Sequence, residues 1–552
     1  MRHLRADRGF TAPIPGSSLP RAMTASNQTF SADDARAARL TLLLVLVLTA
    51  LRLGALFLSP LQLYPDEAQY WLWSRELDFG YFSKPPIIAW SIWLTTHVGG
   101  DQEPWVRLAG PLFHALTAAT LFAVGRKLYR PWTGFAAAAI WLLMPGVALS
   151  SFIAATDAPL LCFLSLTLLA YVSLDDDATD LKTALGLGVA LGLAVLSKYA
   201  ALYFLAGLVL HLALSPAART VWTPRRVVVA ALAFAVVIAP NLAWNVSHQF
   251  ATVGHTAANA DLGGRLFSIA PMLEFIVGQL GVFGPVPFAV LAGAGLTLAV
   301  RRRLAGPDLL LACFTAPALA AMVAMAFVSR ANANWAASAY VAGSVLTAAL
   351  LTRDWQGRWT LAARVGLVAT AVIQGAMVLF IVAAAANPRI ADDLALSNSI
   401  KRLRGWEEAT DLVIRRVRTE ALNGGVTAVV VEDRFLFNAM AYYGRDYFAQ
   451  ADAAPLTIWV RDKAGNQAEA EAPLTVDRGR RVVIAILDDR KDSKRARVAA
   501  DFAKAQVIDL QRITLSVPCK GKPGESDAKY DHRCVRRVTL MLGEGFAPVE
   551  RR

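Results

Sequence analysis

The sequence is poor in charge and in cysteine. Only 18% of its 552 residues are Asp, Glu, Lys or Arg, and it holds four cysteines. Soluble domains carry about a quarter charged residues, so a wholly soluble chain is excluded. Four cysteines are too few for a disulfide-built scaffold. No HExxH pair occurs, and the GKPGES stretch near 521 lacks the spacing and closing Lys-Ser/Thr of a Walker loop. There is no repeat of fixed period, and no zinc-finger, helix-turn-helix or RNA-binding signature. The net charge of +13 therefore does not point to nucleic acid. It fits basic cytoplasmic turns and anionic headgroups.

Apolar residues make up 56% of the chain. They gather in runs of roughly 17–25 residues, the length that crosses a hydrocarbon core. Spans are expected near 40–60, 107–125, 133–150, 158–174, 183–197, 199–214, 227–243, 283–300, 308–328, 336–352 and 361–385, about eleven crossings. Segment 267–282 is short and interrupted by Glu274, which suits an interfacial or re-entrant helix. No cleavable signal precedes the first run, which reads as a retained span. Residues 1–38 are polar and basic and are expected to be a disordered cytoplasmic tail.

Lysine and arginine set the orientation. Arg36, Arg39, Arg126, Lys127, Arg130, Arg219, Arg225, Arg226, Arg301, Arg302, Arg303, Arg353, Arg358 and Arg364 fall in turns on one side by parity. That side is expected to be cytoplasmic, with residues 386–552 outside. The tail alternates strand-like runs, Val426 to Val431 and Val482 to Leu487, with helical stretches 406–422 and 493–506, which predicts a small α/β domain. Cys162 and Cys313 lie in apolar runs. Cys519 and Cys534 can pair if the tail is extracytoplasmic and stay free thiols if it is not.

Charges in apolar runs are costly, so lone ones raise a functional question. Asp157 is the only Asp, Glu, Lys or Arg between Arg130 and Asp175, Lys198 the only one between Lys182 and Arg219, and Arg330 the only one between Asp308 and Arg353. All three fall at outer ends of expected spans. So does the stretch "LYPDEAQYWLWSRELDFGYFSKPPIIAW" at 63–90, which carries Asp66, Glu67, Tyr81 and Lys84. Each has a structural alternative: acids after Pro65 suit a helix dipole, Asp157 suits a helix cap, lone cations snorkel, and the aromatics suit an interfacial belt. Their convergence favours an outer-leaflet site in which cations hold a lipid-linked phosphate and a carboxylate takes a proton from an attacking hydroxyl. Glycosyl transfer from a polyprenyl phosphate uses this set. A polyprenyl-phosphate-sugar carrier or flippase without transfer chemistry is the alternative, although the paired halves of many transporters are absent.

The segments "YPDEAQYW" at 64–71, "SKPPIIAW" at 83–90, "TDAPLL" at 156–161, "LSKYAAL" at 196–202, "PNLAWNVSHQFATVGH" at 240–255 and "ANWAASAY" at 333–340 resemble, in order, bacterial members of glycosyltransferase family 39, the protein-mannosyltransferase-like group that includes the lipid A aminoarabinose transferase. The resemblance implies a GT-C fold over residues 39–385, with juxtamembrane helices on the periplasmic side and a periplasmic domain over 386–552. It also implies a bacterial inner-membrane location and a polyprenyl-phosphate-sugar donor. The acceptor it implies is lipid A, another glycolipid or a protein, reached with inversion. By that likeness Asp66 is the catalytic general base or the acid that orients the acceptor, and Asp157 matches the second acidic catalytic position. Lys84 and Lys198 hold the donor phosphate, and Tyr199, Glu67, Tyr81, Arg330, His255 and Asn334 line the substrate. The sequence departs from the aminoarabinose transferase at Gln69, where that enzyme has arginine, and at Ser83, where it has a metal-binding glutamate. Arg75 or Arg330 is expected to replace the missing charge. His255 lacks a metal partner, and no required metal or other cofactor is expected.

Overall fold

The computed structural model describes residues 32–176, 179–258, 266–301, 303–487, 493–514, 524, 526 and 534–549. The first helix, Ala32–Leu58, begins inside the stretch expected to be unstructured, with Asp33 and Asp34 in its first turn where the helix dipole favours acids. The rest of that expected tail lies outside the described residues.

Among the described residues, five helices are long and apolar enough to cross a membrane: Ala32–Leu58, Glu103–Leu128, Pro224–Ser247, Gly306–Val328 and Arg358–Ala386. The shorter apolar helices Asp157–Ser173, Lys182–Ser197, Tyr199–Leu214, Pro285–Val300 and Ala339–Thr352 occupy five further expected crossings. The span expected over 133–150 is broken into Pro131–Leu142 and Pro145–Ser150, since Pro145 has no N–H to continue the helix. Leu42, Leu43, Leu46, Val228, Leu232 and Val236 are exposed, the pattern of lipid-facing helices. Close approach depends on small residues. A Cβ on Gly188 would stand 2.2 Å from the Ala230 carbonyl, and one on Gly134 would stand 2.4 Å from the Phe122 carbonyl.

The bundle has two chemically distinct ends. At one end ion pairs join the basic turns: Arg126 with Asp34 at 2.9 Å, Lys127 with Asp176, Arg130 with Asp354 at 3.2 Å and Arg353 with Asp308 at 2.5 Å. At the other end lie two juxtamembrane helices, Pro65–Trp73 and Ile87–Gly99. The second buries Ile88, Ala89 and Ile92 and exposes Leu94 and Val98, as a helix lying along an interface does. Helix Ile269–Val282 is also short, and its Gln279 donates to the Ala333 carbonyl at 3.1 Å.

A five-stranded sheet follows the last span. Its strands are β1 (Ala428–Val431), β2 (Leu456–Ile458), β3 (Arg481–Leu487), β4 (Phe502–Thr514) and β5 (Val535–Phe546), in the order β2-β1-β3-β5-β4. The first three are parallel, and β5 runs antiparallel to both β3 and β4. β1 is wholly buried, as unbroken valine runs in parallel sheets are. Helix Trp406–Leu422 covers the sheet with Trp406, Ala409, Val413 and Val417, a period of 3.6. The helix expected over 493–506 ends at Ala499, and residues from Phe502 onward form β4 instead. There the ladder to a distant partner, β5, overrides local helical preference. Cys162 and Cys313 are buried free thiols. Cys534 is buried and disulfide-bonded, and Cys519 lies outside the described residues.

The sheet domain is stitched to the loop that follows the first span. Gln62 N–H donates to the Leu403 carbonyl at 3.0 Å, and Leu63 N–H donates to the Tyr443 hydroxyl at 2.7 Å. Trp406 N–H donates to the Gln62 amide oxygen at 2.6 Å. A buried pair, Arg404 with Asp392 at 2.9 Å, braces the connection from the last span.

Candidate active site

Helix Pro65–Trp73 presents two acids with opposite fates. Glu67 is fully buried, although its place beside Asp66 suggested a substrate-facing carboxylate. It takes a bidentate pair from Arg107, Nε and NH2 at 2.8 Å each. It also accepts Tyr64 N–H and Ala154 N–H, both at 2.7 Å. Arg107 in turn donates to the Leu61 and Gln62 carbonyls. Glu67 therefore ties the Asp66 helix to the loop just before Asp157 and is scaffold. Asp66 points the other way, and its side chain is 39% exposed.

Asp157 opens helix Asp157–Ser173. Its Oδ1 accepts from the Lys198 amine at 2.8 Å and its Oδ2 from the Asn334 amide at 3.3 Å. The structure thus gathers Asp157, Lys198 and Asn334, from three separate segments, into one contact. It also leaves Asp157 engaged, whereas among the described residues Asp66 has only a loose charge partner.

Lys84 sits on the loop between the two juxtamembrane helices, and its amine has no hydrogen-bond or ion-pair partner among the described residues. Burial pulls its pKa below the ordinary lysine value, helped by Lys198 and opposed by Asp66 and Asp157. The motif at 240–255 holds this loop. Asn241 donates to the Phe79 carbonyl at 2.6 Å, Trp244 to Asp78 at 2.6 Å, and Thr252 to the Tyr81 carbonyl at 2.6 Å. Gly80 is needed because a Cβ there would stand 2.4 Å from the Trp244 ring. His255 packs edge-on to Phe82, with ring centroids 6.1 Å apart. Burial lowers its pKa, with Lys84 and Arg434 lowering it further and Asp66 raising it. Tyr70 is buried, and burial followed by Asp66 and Asp157 pushes its phenol up, so it stays neutral. Asp66, Asp157, Lys84 and Lys198 therefore share one neighbourhood at one end of the bundle.

Tyr81, Tyr199 and Arg75 are engaged elsewhere, which corrects those three expectations. The Tyr81 hydroxyl donates to the Trp73 and Glu76 carbonyls, and its ring stacks on Trp73 at 4.8 Å, so it is the core of its own loop. The Tyr199 hydroxyl is engaged by Asn241 and Asn245, both at 3.1 Å, rather than facing the carboxylates. Arg75 is spent on Asp101 at 2.9 Å and Thr96 at 2.7 Å. Arg330 lies exposed beyond helix Gly306–Val328. The cation at Gln69 comes instead from the sheet domain: Arg434 donates to the Gln69 amide oxygen at 3.2 Å and stands 3.7 Å from Asp66. Sequence reading missed Arg434 and Arg107. Among the described residues no three His, Cys, Asp or Glu side chains gather as a metal site.

A family profile described as dolichyl-phosphate-mannose-protein mannosyltransferase matches residues 83–244. The lipid A galacturonosyltransferase RgtD of Rhizobium johnstonii is 36% identical over 433 residues, covering 77% of this chain and 85% of that protein. Two crystal structures of ArnT from Cupriavidus metallidurans share the fold at 16% identity. The apo form has a TM-score of 0.58 and covers 90% of this chain and 97% of that one. The form bound to undecaprenyl phosphate has a TM-score of 0.56 and covers 91% and 97%. The chain is a multi-pass membrane enzyme with the GT-C fold, and it belongs to glycosyltransferase family 39 with the lipid A-modifying glycosyltransferases.

Proposed function

We propose that the chain transfers a sugar from a polyprenyl phosphate to lipid A, and that the sugar is a hexuronic acid. The relative RgtD is named for galacturonosyl transfer to lipid A, and an ArnT of the same fold is known bound to undecaprenyl phosphate. One observation carries the reading for this chain: an unpaired amine, Lys84, and a paired one, Lys198, share a site with Asp66, a carboxylate left nearly free.

The lipid phosphate lodges against Lys84 and Lys198. The acceptor hydroxyl gives its proton to Asp66 as its oxygen attacks the anomeric carbon from the face opposite the phosphate. The new C–O bond forms, the bond to the phosphate oxygen breaks, and the electron pair leaves with polyprenyl phosphate, inverting the centre. The two amines stabilise the charge that builds on the leaving group. A phosphate leaving group needs no general acid, so one free carboxylate suffices. Asp157 acts as a positioning residue that fixes Lys198 and Asn334. Glu67 holds the two acid-bearing segments in register, and no metal takes part.

The site faces the periplasm and the N-terminus the cytoplasm of an inner membrane. The ion-paired basic turns at the opposite end support this orientation. So does the disulfide at Cys534, a bond of oxidising compartments. The test is mass spectrometry of lipid A from a host expressing the chain. Addition of one hexuronic acid, with release of free polyprenyl phosphate, is expected. Lipid A left unmodified while the donor crosses the membrane intact would mean a carrier instead.

A further inference from the structure

Arg434 differs from the other cations of the site in origin and in pairing. Lys84 and Lys198 come from segments between membrane helices, whereas Arg434 opens helix Arg434–Tyr443 of the sheet domain. The Asp433 carboxylate caps that helix by accepting Phe435 N–H at 2.7 Å, so the position of Arg434 is fixed. Among the described residues its guanidinium spends one hydrogen bond on a neutral acceptor, the Gln69 amide oxygen at 3.2 Å. Its contact with Asp66, at 3.7 Å, is too long for a hydrogen bond. The Arg434 and Asp66 side chains remain 33% and 39% exposed. A planar fork with spare donors, partly exposed next to the proposed base, matches a carboxylate.

We propose that Arg434 binds the carboxylate of the donor's sugar and so selects a hexuronate over a neutral hexose, an assignment that rests on the glycosyl-transfer reading above. The shared chemistry is an oxyanion, which either the sugar's carboxylate or a phosphate of lipid A can supply. Placement favours the sugar. The leaving phosphate already has Lys84 and Lys198, and Arg434 stands beside Asp66, which must lie next to the anomeric carbon during attack. With the fork on the sugar carboxylate, the anomeric carbon is held beside Asp66. A neutral hexose leaves the fork unmatched, so the discrimination falls on kcat/KM. Gln69, being neutral, holds the fork without competing for it. Arg434 thus makes the outer domain part of substrate recognition.

The test uses the full-length chain in lipid nanodiscs, with lipid A and two donors: a polyprenyl-phosphate hexuronate and the matching hexose with a hydroxymethyl group in place of the carboxylate. Arg434→Gln should lower kcat/KM for the hexuronate by about 10–100-fold, the range for a lost hydrogen bond to a charged group, and move the hexose far less. Arg434→Lys keeps a cation without the fork and should regain part of the preference, which guards against a folding artefact. Equal losses for both donors, or no change in their ratio, overturn the assignment. So does a loss that vanishes when dephosphorylated lipid A replaces lipid A, since that assigns the fork to the acceptor. A wild-type chain that transfers neither sugar overturns the transfer reading as well.

Discussion

Glu67→Gln separates scaffold from chemistry at two adjacent acids. The Glu67 carboxylate accepts from Arg107 at 2.8 Å twice, and from Tyr64 N–H and Ala154 N–H at 2.7 Å. The Arg107 and Glu67 side chains are 3% and 0% exposed. Removing the negative charge leaves a buried guanidinium uncompensated, and breaking such a pair from one side costs about 3–5 kcal/mol. The amide also turns an NH2 toward donors that previously met an oxygen, and each buried group left unmatched adds about 1–3 kcal/mol. The assay is thermal unfolding of the purified chain, read beside transfer activity. The melting temperature should fall well below wild type, with activity lost in step. Glu67→Leu combined with Arg107→Met should recover part of the melting temperature, because no charge is then stranded. A Glu67→Gln protein that melts like wild type but transfers nothing would place Glu67 in the reaction and refute the scaffold role.

Asp157→Asn should raise KM for the donor more than it lowers kcat, because it frees Lys198 from its 2.8 Å partner; initial rates across donor concentration check this. The lowered pKa of Lys84 gives a sign for the pH profile. The amine must be protonated to hold phosphate, so donor affinity should fall as pH rises, at a lower pH than for an ordinary lysine. Lys84→Arg should push that limb to higher pH. Tyr443→Phe strands Leu63 N–H, whose acceptor lies at 2.7 Å, and should cost about 1–3 kcal/mol in unfolding measurements. Dialysis against a chelator should leave transfer unchanged, and activity restored only by a divalent cation would contradict the metal-free account.

The membrane half of the site was legible because its charges are isolated. Asp157 and Lys198 stand alone in long apolar runs, where lone charges are costly, and they meet at 2.8 Å across 41 positions of sequence. Arg434 carried no such contrast, since the tail around it is full of charge, and its partner Gln69 is 365 positions away. Arg107 drew no notice at the edge of an expected span, and its burial against Glu67 depends on where the Asp157 loop passes. The hydroxyls of Tyr81 and Tyr199 looked available because sequence gives residue type, not direction. Their partners, the Trp73 and Glu76 carbonyls and the Asn241–Asn245 pair, exist only once the loop and helix are packed. The same holds for β4, whose strand character depends on pairing with β5.

The most direct measurement is transfer from a polyprenyl-phosphate sugar to lipid A by Asp66→Asn, with wild-type folding shown by an unchanged melting temperature. Loss of the base should cut the rate by about 10²–10⁴-fold while donor binding through Lys84 and Lys198 persists. Transfer at the wild-type rate would show that the proton goes elsewhere, and the account of this site would fail with it.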